Sequence, residues 1–272
     1  MLKILSTHLF QLHRLHPGLL EFAHRSGAEG VEIYAARPHF DYTRREDILE
    51  LASWFRSNPL VPFSMHAPIF PEGALGRSGA MALNLVSSDK SQRIEAMDEI
   101  KRALEAAEHI PMRNLVVHLG DKWDNFSPQT LEFSLTALEH LGAFARPLGV
   151  RVLVENLTSD HTAPQNLMTI LETGHLDSIG VCLDLGHAHM TVGVQEAIAA
   201  FGKRITTVHA HDNHGVKDEH LWPGDGAIDW PQTMAQIKAA AEPEAIILEI
   251  DRNLYDPATA QEKVGEAFEF VA

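Results

Sequence analysis

The sequence predicts an α/β chain folded as a single (β/α)8 barrel over residues 1–272, and three observations carry that expectation. Eight short runs rich in β-branched and apolar residues are spread along the chain. Segments with helical spacing of apolar residues separate them. No G-x-G-x-x-G loop follows the first run, where STHLFQLHRLHPG stands instead, so an open doubly wound sheet is the weaker expectation.

In chain order the strands are expected at KILSTHL from Lys3, GVEIYA from Gly30, PFSMHA from Pro62, NLVVHLG from Asn114, RVLVEN from Arg151, IGVCLDLG from Ile179, ITTVHAHD from Ile205 and AIILEID from Ala245. Each is bounded by turn or polar residues, as strands require. The clearest helical pattern lies in SSDKSQRIEAMDEIKRALEAAEHI. There Ile94, Met97, Ile100, Leu104 and Ala107 share one face, and Ser88 or Asp89 supplies the N-cap. Further helices are expected across Arg45 to Phe55, Thr130 to Phe144, Asn166 to Thr173, Val194 to Phe201, Pro231 to Ala241 and Ala258 to Phe270. Repeated βα alternation predicts a parallel sheet, and eight repeats suffice to close it.

Composition narrows the function classes. A net charge of -15 repels phosphate backbones and anionic lipid heads, which argues against nucleic acid and membrane partners. No run approaches the roughly 20 apolar residues of a membrane helix. The one cysteine, Cys182, forms no disulfide framework, and the first residues are too rich in His and Arg for a signal peptide, so a cytoplasmic location is expected. Seventeen histidines, carrying the commonest metal-binding side chain, make a metal site the first hypothesis to test.

Catalytic groups of such a barrel come from the C-terminal ends of its strands. Six consecutive strands end in a candidate ligand: His66, His118, Glu155, Asp184, His209 and Glu249. Their neighbours Val117, Val154, Leu183, Val208 and Leu248 are apolar, so alternation turns the ligands into the mouth. Each has a plainer alternative: a lone strand His as a hydrogen-bonded core residue, a strand-end Glu as an ion-pair partner, Asp184 as the cap of a following helix. Converging carboxylates and imidazoles are costly without a cation, which favours metal. DLGH adds His187, and KDEH before the PGDG turn adds Asp218 and His220. A thiolate-free donor set suits Zn²⁺, Mn²⁺, Fe²⁺ or Co²⁺. Glu32, at the end of the second strand, is a candidate substrate contact or a partner of Arg37, and Trp123 and Trp222 are candidate walls for a sugar ring or packed loop residues. His211 is expected to touch substrate or to support His209, and His8 is within reach of the mouth.

The motifs GAEGVEIY, MHAP, LNLVSSD, VVHLG, VENL, LDLGHAH, VHAHD, PGDGAID and LEI, in this order, resemble the superfamily that joins xylose-isomerase-like sugar isomerases and epimerases to the apurinic endonuclease IV family, all TIM barrels. On the endonuclease side the resemblance implies three zinc ions: one on His66, His118 and Glu155, one on Glu155, Asp184, His209 and Glu249, one on His187, Asp218 and His220. On the isomerase side it implies one Mn²⁺-like ion on Glu155, Asp184, His209 and Glu249. There Glu155 and Glu249 resemble the catalytic acid/base pair, and His187 a substrate-oxygen contact. The chain departs from both patterns: Glu219 stands where isomerases place an Arg, and Ile69 where the endonucleases place a Tyr. The resemblance therefore implies one to three Zn or Mn ions and a sugar or phosphoester substrate. A metal-dependent isomerase or epimerase of sugars, sugar phosphates or polyols is the primary reading, a multinuclear zinc phosphoesterase the alternative. It also implies pairing as a homodimer.

Overall fold

All eight β-branched runs form strands, and they pair in sequence order into a closed parallel barrel. The computed structural model describes residues 1–71, 81–251 and 257–271. The strands are β1 (Leu2–Ser6), β2 (Gly30–Tyr34), β3 (Val61–His66), β4 (Asn114–Val117), β5 (Arg151–Glu155), β6 (Gly180–Asp184), β7 (Ile205–Ala210) and β8 (Ala245–Leu248), and β8 pairs with β1 to complete the ring. The open-sheet alternative is thereby excluded.

Period-two alternation splits each strand between two cores. Val117, Val154, Leu183, Val208 and Leu248 belong to the large apolar layer under the helices. Inside the barrel, Val116, Leu153 and Cys182 form one small cluster and Ile4, Phe63, Ala245 and Ile247 another. Val116, Leu153, Cys182 and Ile247 each lie two positions before a candidate ligand, His118, Glu155, Asp184 and Glu249 in turn. The candidate ligands thus stand on an apolar plug. A register shift adds Phe63 between the pairs Val31↔Pro62 and Glu32↔Ser64, so Phe63 reaches the plug while Ser64 stays beside Glu32.

The helices are α1 (Pro17–Arg25), α2 (Arg45–Ser57), α3 (Lys90–Leu104), α4 (Pro128–Ala145), α5 (Pro164–Thr173), α6 (Leu185–Met190), α7 (Val194–Phe201), α8 (Trp230–Ala240) and α9 (Pro257–Phe270). α1 is not among the expected helices. Gly18 interrupts its first turn, and Leu20 and Ala23 are its buried residues, too few for a legible period. α4, α5 and α9 start one or two residues earlier than expected because a proline occupies the first turn, where its missing N–H costs nothing. Asp89 rather than Ser88 caps α3, its carboxylate accepting from Ser91 N at 2.8 Å. The buried face of α3 is rotated from the expected one: Ile94 is 51% exposed, while Ala96, Glu99, Ile100, Ala103 and Leu104 are buried. Glu99 is held inward by Arg37, whose Nε and Nη2 donate at 2.8 and 2.9 Å, and by Tyr42 and Arg102. Among the described residues no helix is long and apolar enough to cross a membrane. The stretch FPEGALGRSGAMA, with Arg77 its one basic residue, lies mostly outside the described residues.

Replacing Glu99 by Ala removes the buried carboxylate that accepts from Arg37, Tyr42 and Arg102. Urea unfolding is expected to show a loss of about 2–4 kcal/mol. A loss below about 0.5 kcal/mol, the surface-pair range, would show that the cluster does not tie the β2 loop to α3.

Candidate metal centre

The strand ends bring the expected side chains together. His66 ends β3, His118 follows β4, Glu155 ends β5, Asp184 ends β6, His209 lies on β7 and Glu249 follows β8. Glu155, Asp184, His209 and Glu249 are buried and offer donor atoms within 4.8 Å of one another. His209 Nδ1 lies 3.4 Å from Glu155 Oε1, 3.2 Å from Glu249 Oε2 and 3.9 Å from Asp184 Oδ2. Beside this central set, His66 Nε2 and His118 Nε2 lie 3.3 and 3.1 Å from Glu155 Oε2. One carboxylate therefore faces both groups.

A third group forms around Asp218 on the loop after β7. Its Oδ2 lies 3.2 Å from His187 Nε2 and 3.3 Å from His220 Nε2. His211 joins it: His211, Asp218 and His220 also offer donors within 4.8 Å of one another. The His211 ring stacks on that of His220 at 3.9 Å, its Nε2–H donates to Asp184 at 3.0–3.1 Å, and its buried Nδ1 has no hydrogen-bond partner. His211 is thus fully buried between two clusters.

The chemistry of the donor set fits divalent ions. At His66, His187 and His220, Nδ1–H donates to a main-chain carbonyl (Ala67, Asn156 and Glu249, at 2.9, 3.0 and 2.8 Å), which leaves Nε2, facing the carboxylates, as the nitrogen open to a metal once its proton is lost. That is the tautomer a metal ligand needs. The unpartnered buried Nδ1 of His211 adds to the case.

The model of the xylose isomerase-like TIM barrel family matches residues 20–272. The chain belongs to that family. Inosose isomerase of Bacillus velezensis is 23% identical over 262 residues, covering 92% of this chain and 88% of that protein. A probable endonuclease 4 of Mycobacterium ulcerans is 28% identical over 240 residues, covering 82% and 86%. Among solved structures, an IolI protein with a bound zinc atom superposes with a TM-score of 0.77 at 20% identity, covering 100% of this chain and 95% of that one.

Several residues that shape this family barrel's mouth escaped the sequence reading. Asp212 is fully buried and accepts from the main-chain N–H of Asn213, Gly224 and Ile228 and from Trp230 Nε1, at 2.8–3.1 Å. It closes the loop that carries Asp218 and His220. A Cβ on Gly226 would lie 2.3 Å from Asp212 Oδ1, so the PGDG turn needs glycine there. A Cβ on Gly186 would lie 2.0 Å from the His211 ring. Asn156 locks β5 to β6, donating to Asp184 O and accepting from Asp184 N at 2.9 Å each. Asp184 fills both roles weighed for it: Oδ1 accepts from His187 N at the start of α6, while its carboxylate stays in the central set.

Other candidates move. Glu32 is fully buried below His209, Oε1 at 3.0 Å from His209 Nε2, so it contacts neither the open mouth nor Arg37. Trp222 is buried in the main apolar layer and borders a hollow lined by Lys263, Glu266 and Phe270 of α9, a packing position. Trp123 is 77% exposed, with Lys122 Nζ 5.1 Å from its ring. His8 sits on the 3₁₀ turn after β1, edge-on to Tyr34 and 5.3 Å from the His220 ring, and burial lowers it to about 4.

Electrostatics bind the clusters together. Burial opposes charge on these imidazoles, yet Glu155 raises His66 to about 9, Asp184 and Asp218 raise His187 to about 10, and Asp218 raises His220 to about 9. At His118 burial wins and the shift is downward. Burial would raise Glu155, Glu249 and Asp218, but the facing imidazoliums hold all three well below the usual carboxylate range. Without a metal, protons on imidazole neutralise the site.

Two outcomes follow. Any of these raised imidazoles that took up zinc would first have to lose its proton, so calorimetry at pH 7 in buffers of different ionisation enthalpy is expected to show at least one proton released per chain. No release would mean neutral rings. The stability these histidines give the metal-free protein is complete below about pH 6.5 and lost as pH rises through about 9 to 10, so its Tm should fall across that window. Separately, Asp212→Asn places an amide donor among four donors, and about 2–3 kcal/mol of stability should be lost in denaturant titration. Wild-type stability would remove Asp212 from the account of how the loop closes.

Proposed function

We propose that this chain is a metal-dependent isomerase or epimerase acting on a sugar, sugar phosphate or polyol-derived ketone. One observation carries the reading. Glu155 and Glu249 reach a common point, His209 Nδ1, at 3.4 and 3.2 Å from strands on different sides of the barrel. Two buried carboxylates flanking one ion position are what a two-base proton transfer requires. The relationship to inosose isomerase supports the same class.

Glu155, Asp184, His209 and Glu249 would hold the ion, which would supply Lewis acidity to a substrate carbonyl and its neighbouring hydroxyl. A carboxylate oxygen of one glutamate takes the proton from the carbon beside the carbonyl. The other glutamate returns a proton, at the opposite face for epimerisation or the adjacent carbon for isomerisation. His187, fixed by Asn156 O and facing Asp218, offers Nε2 to a substrate oxygen. Burial of Glu155 and Glu249 keeps bulk water from competing for the proton.

The assembled groups around His66/His118 and Asp218/His220 favour a second reading, a multinuclear zinc phosphoesterase acting on a small substrate. Metal content separates the two: about one divalent ion per chain in the active protein belongs to the isomerase, about three zinc ions with phosphoester hydrolysis to the alternative. Under the first reading, Glu155→Gln and Glu249→Gln should each lower exchange of the substrate α-hydrogen with D2O by about 10²–10⁴-fold while the fold is kept. Full turnover in either variant would sink the acid/base assignment.

A further inference from the structure

We propose that Glu32 is a positioning residue for the metal centre: it accepts the Nε2–H of His209 and thereby aims Nδ1 at the central ion. This inference rests on the metal-binding part of the reading above. It goes beyond it by giving the ligand a partner from the far wall of the barrel.

His209 is an exception among the histidines of the three clusters. His66, His187 and His220 fix their tautomers by donating Nδ1–H to main-chain carbonyls at strand ends or in loops. His209 has its Nδ1 among Glu155, Asp184 and Glu249, so the nitrogen left to carry the proton is Nε2. That nitrogen points into the barrel, where strand carbonyls are engaged in the parallel ladder. A side chain has to supply the acceptor, and Glu32 Oε1 is there at 3.0 Å.

Both residues are fully buried. His209 Nε2 and Glu32 Oε1 are each without an aligned hydrogen bond although they face one another, a pair that a small turn of the imidazole would satisfy. The other oxygen of Glu32 is already committed, accepting from Ser64 Oγ at 2.8 Å. Ser64 is brought there by the Phe63 register shift, and Gly30 leaves room below, since a Cβ on it would meet Val61 O at 2.6 Å. The carboxylate is therefore held in one orientation. A carboxylate behind a ligating imidazole fixes its tautomer and strengthens its donor nitrogen, and losing such a partner typically weakens metal binding 10- to 100-fold.

The test is zinc affinity by competition with a chromophoric chelator, alongside ¹⁵N NMR of the His209 ring. Glu32→Leu, which removes the acceptor, should bind zinc about 10- to 100-fold more weakly and mix the His209 tautomers, while Glu32→Gln, which keeps a neutral acceptor, should fall between. Adding Glu32→Leu to His209→Asn should cost no further affinity, because the effect runs through that ring. If Glu32→Leu misfolds, Glu32→Gln and Ser64→Ala carry the same comparison at smaller loss. Wild-type affinity and tautomer in the Glu32 variants, or a loss that persists in the His209→Asn background, would overturn the inference while leaving the metal reading intact. A wild-type protein that takes up no zinc or manganese would overturn both.

Discussion

Concentrating acid groups where water cannot reach them is the constraint around which this barrel is organised. Glu32, Glu155, Asp184 and Glu249 are each 5% exposed or less, all near one end of one barrel. An unpaired buried carboxylate costs several kcal/mol, so each must find a cation or donor in place. Imidazoles meet that demand as proton carriers, and they also meet it as neutral ligands once a divalent ion replaces the protons. The arrangement is therefore the same for both states. Only the carriers of positive charge change.

That constraint explains features that otherwise look unrelated. The apolar plug of Val116, Leu153, Cys182, Ile4, Phe63 and Ile247 removes water from below the carboxylates, which strengthens their coupling to the histidines. It also pushes the Cys182 thiol up to about 12, keeping it neutral beneath Asp184. Main-chain carbonyls choose the tautomers of His66, His187 and His220, so strand ends supply orientation as well as side chains. Imidazoliums hold Glu155 and Glu249 low, and a divalent ion in their place would hold the two carboxylates ionised in turn.

Much of this was legible in the sequence because period two is a strong code. Strand positions, and the six ligand types at strand ends, follow from alternation alone, and the apolar neighbours Val154 and Leu183 mark which side faces the helices. Register and loop closure were not legible. The Phe63 shift that pairs Glu32 with Ser64 leaves no mark in residue type, so Glu32, weighed as a substrate contact or a partner of Arg37, lies below His209 instead. Asp212 carries no mark in the sequence either, since its four donors come from residues up to 18 positions away. α1 was hidden by Gly18, and Glu99 by the habit of placing charges outward.

The loop from Asp212 to Trp230 shows why an extra set of ligand-type residues need not imply an extra ion. His220 has a left-handed backbone (φ 44°), uncommon for a residue with a Cβ, and such strain persists where the surroundings impose it. Here Leu221 bridges Asp212 on one side, while the His220 ring donates from Nδ1 to the carbonyl of Glu249 on the other. The ring thus fastens the loop to the strand end that bears one of the two central glutamates. Stacking on His211, which in turn donates to Asp184, extends the same brace to β6. His220 thus braces the Glu249 main chain and, through His211, the Asp184 carboxylate, whether or not a cation sits beside Asp218. What distinguishes the two chemistries is then whether the pull of Asp218 on His187 and His220 is answered by protons or by metal, a matter of occupancy rather than of which side chains the fold has assembled.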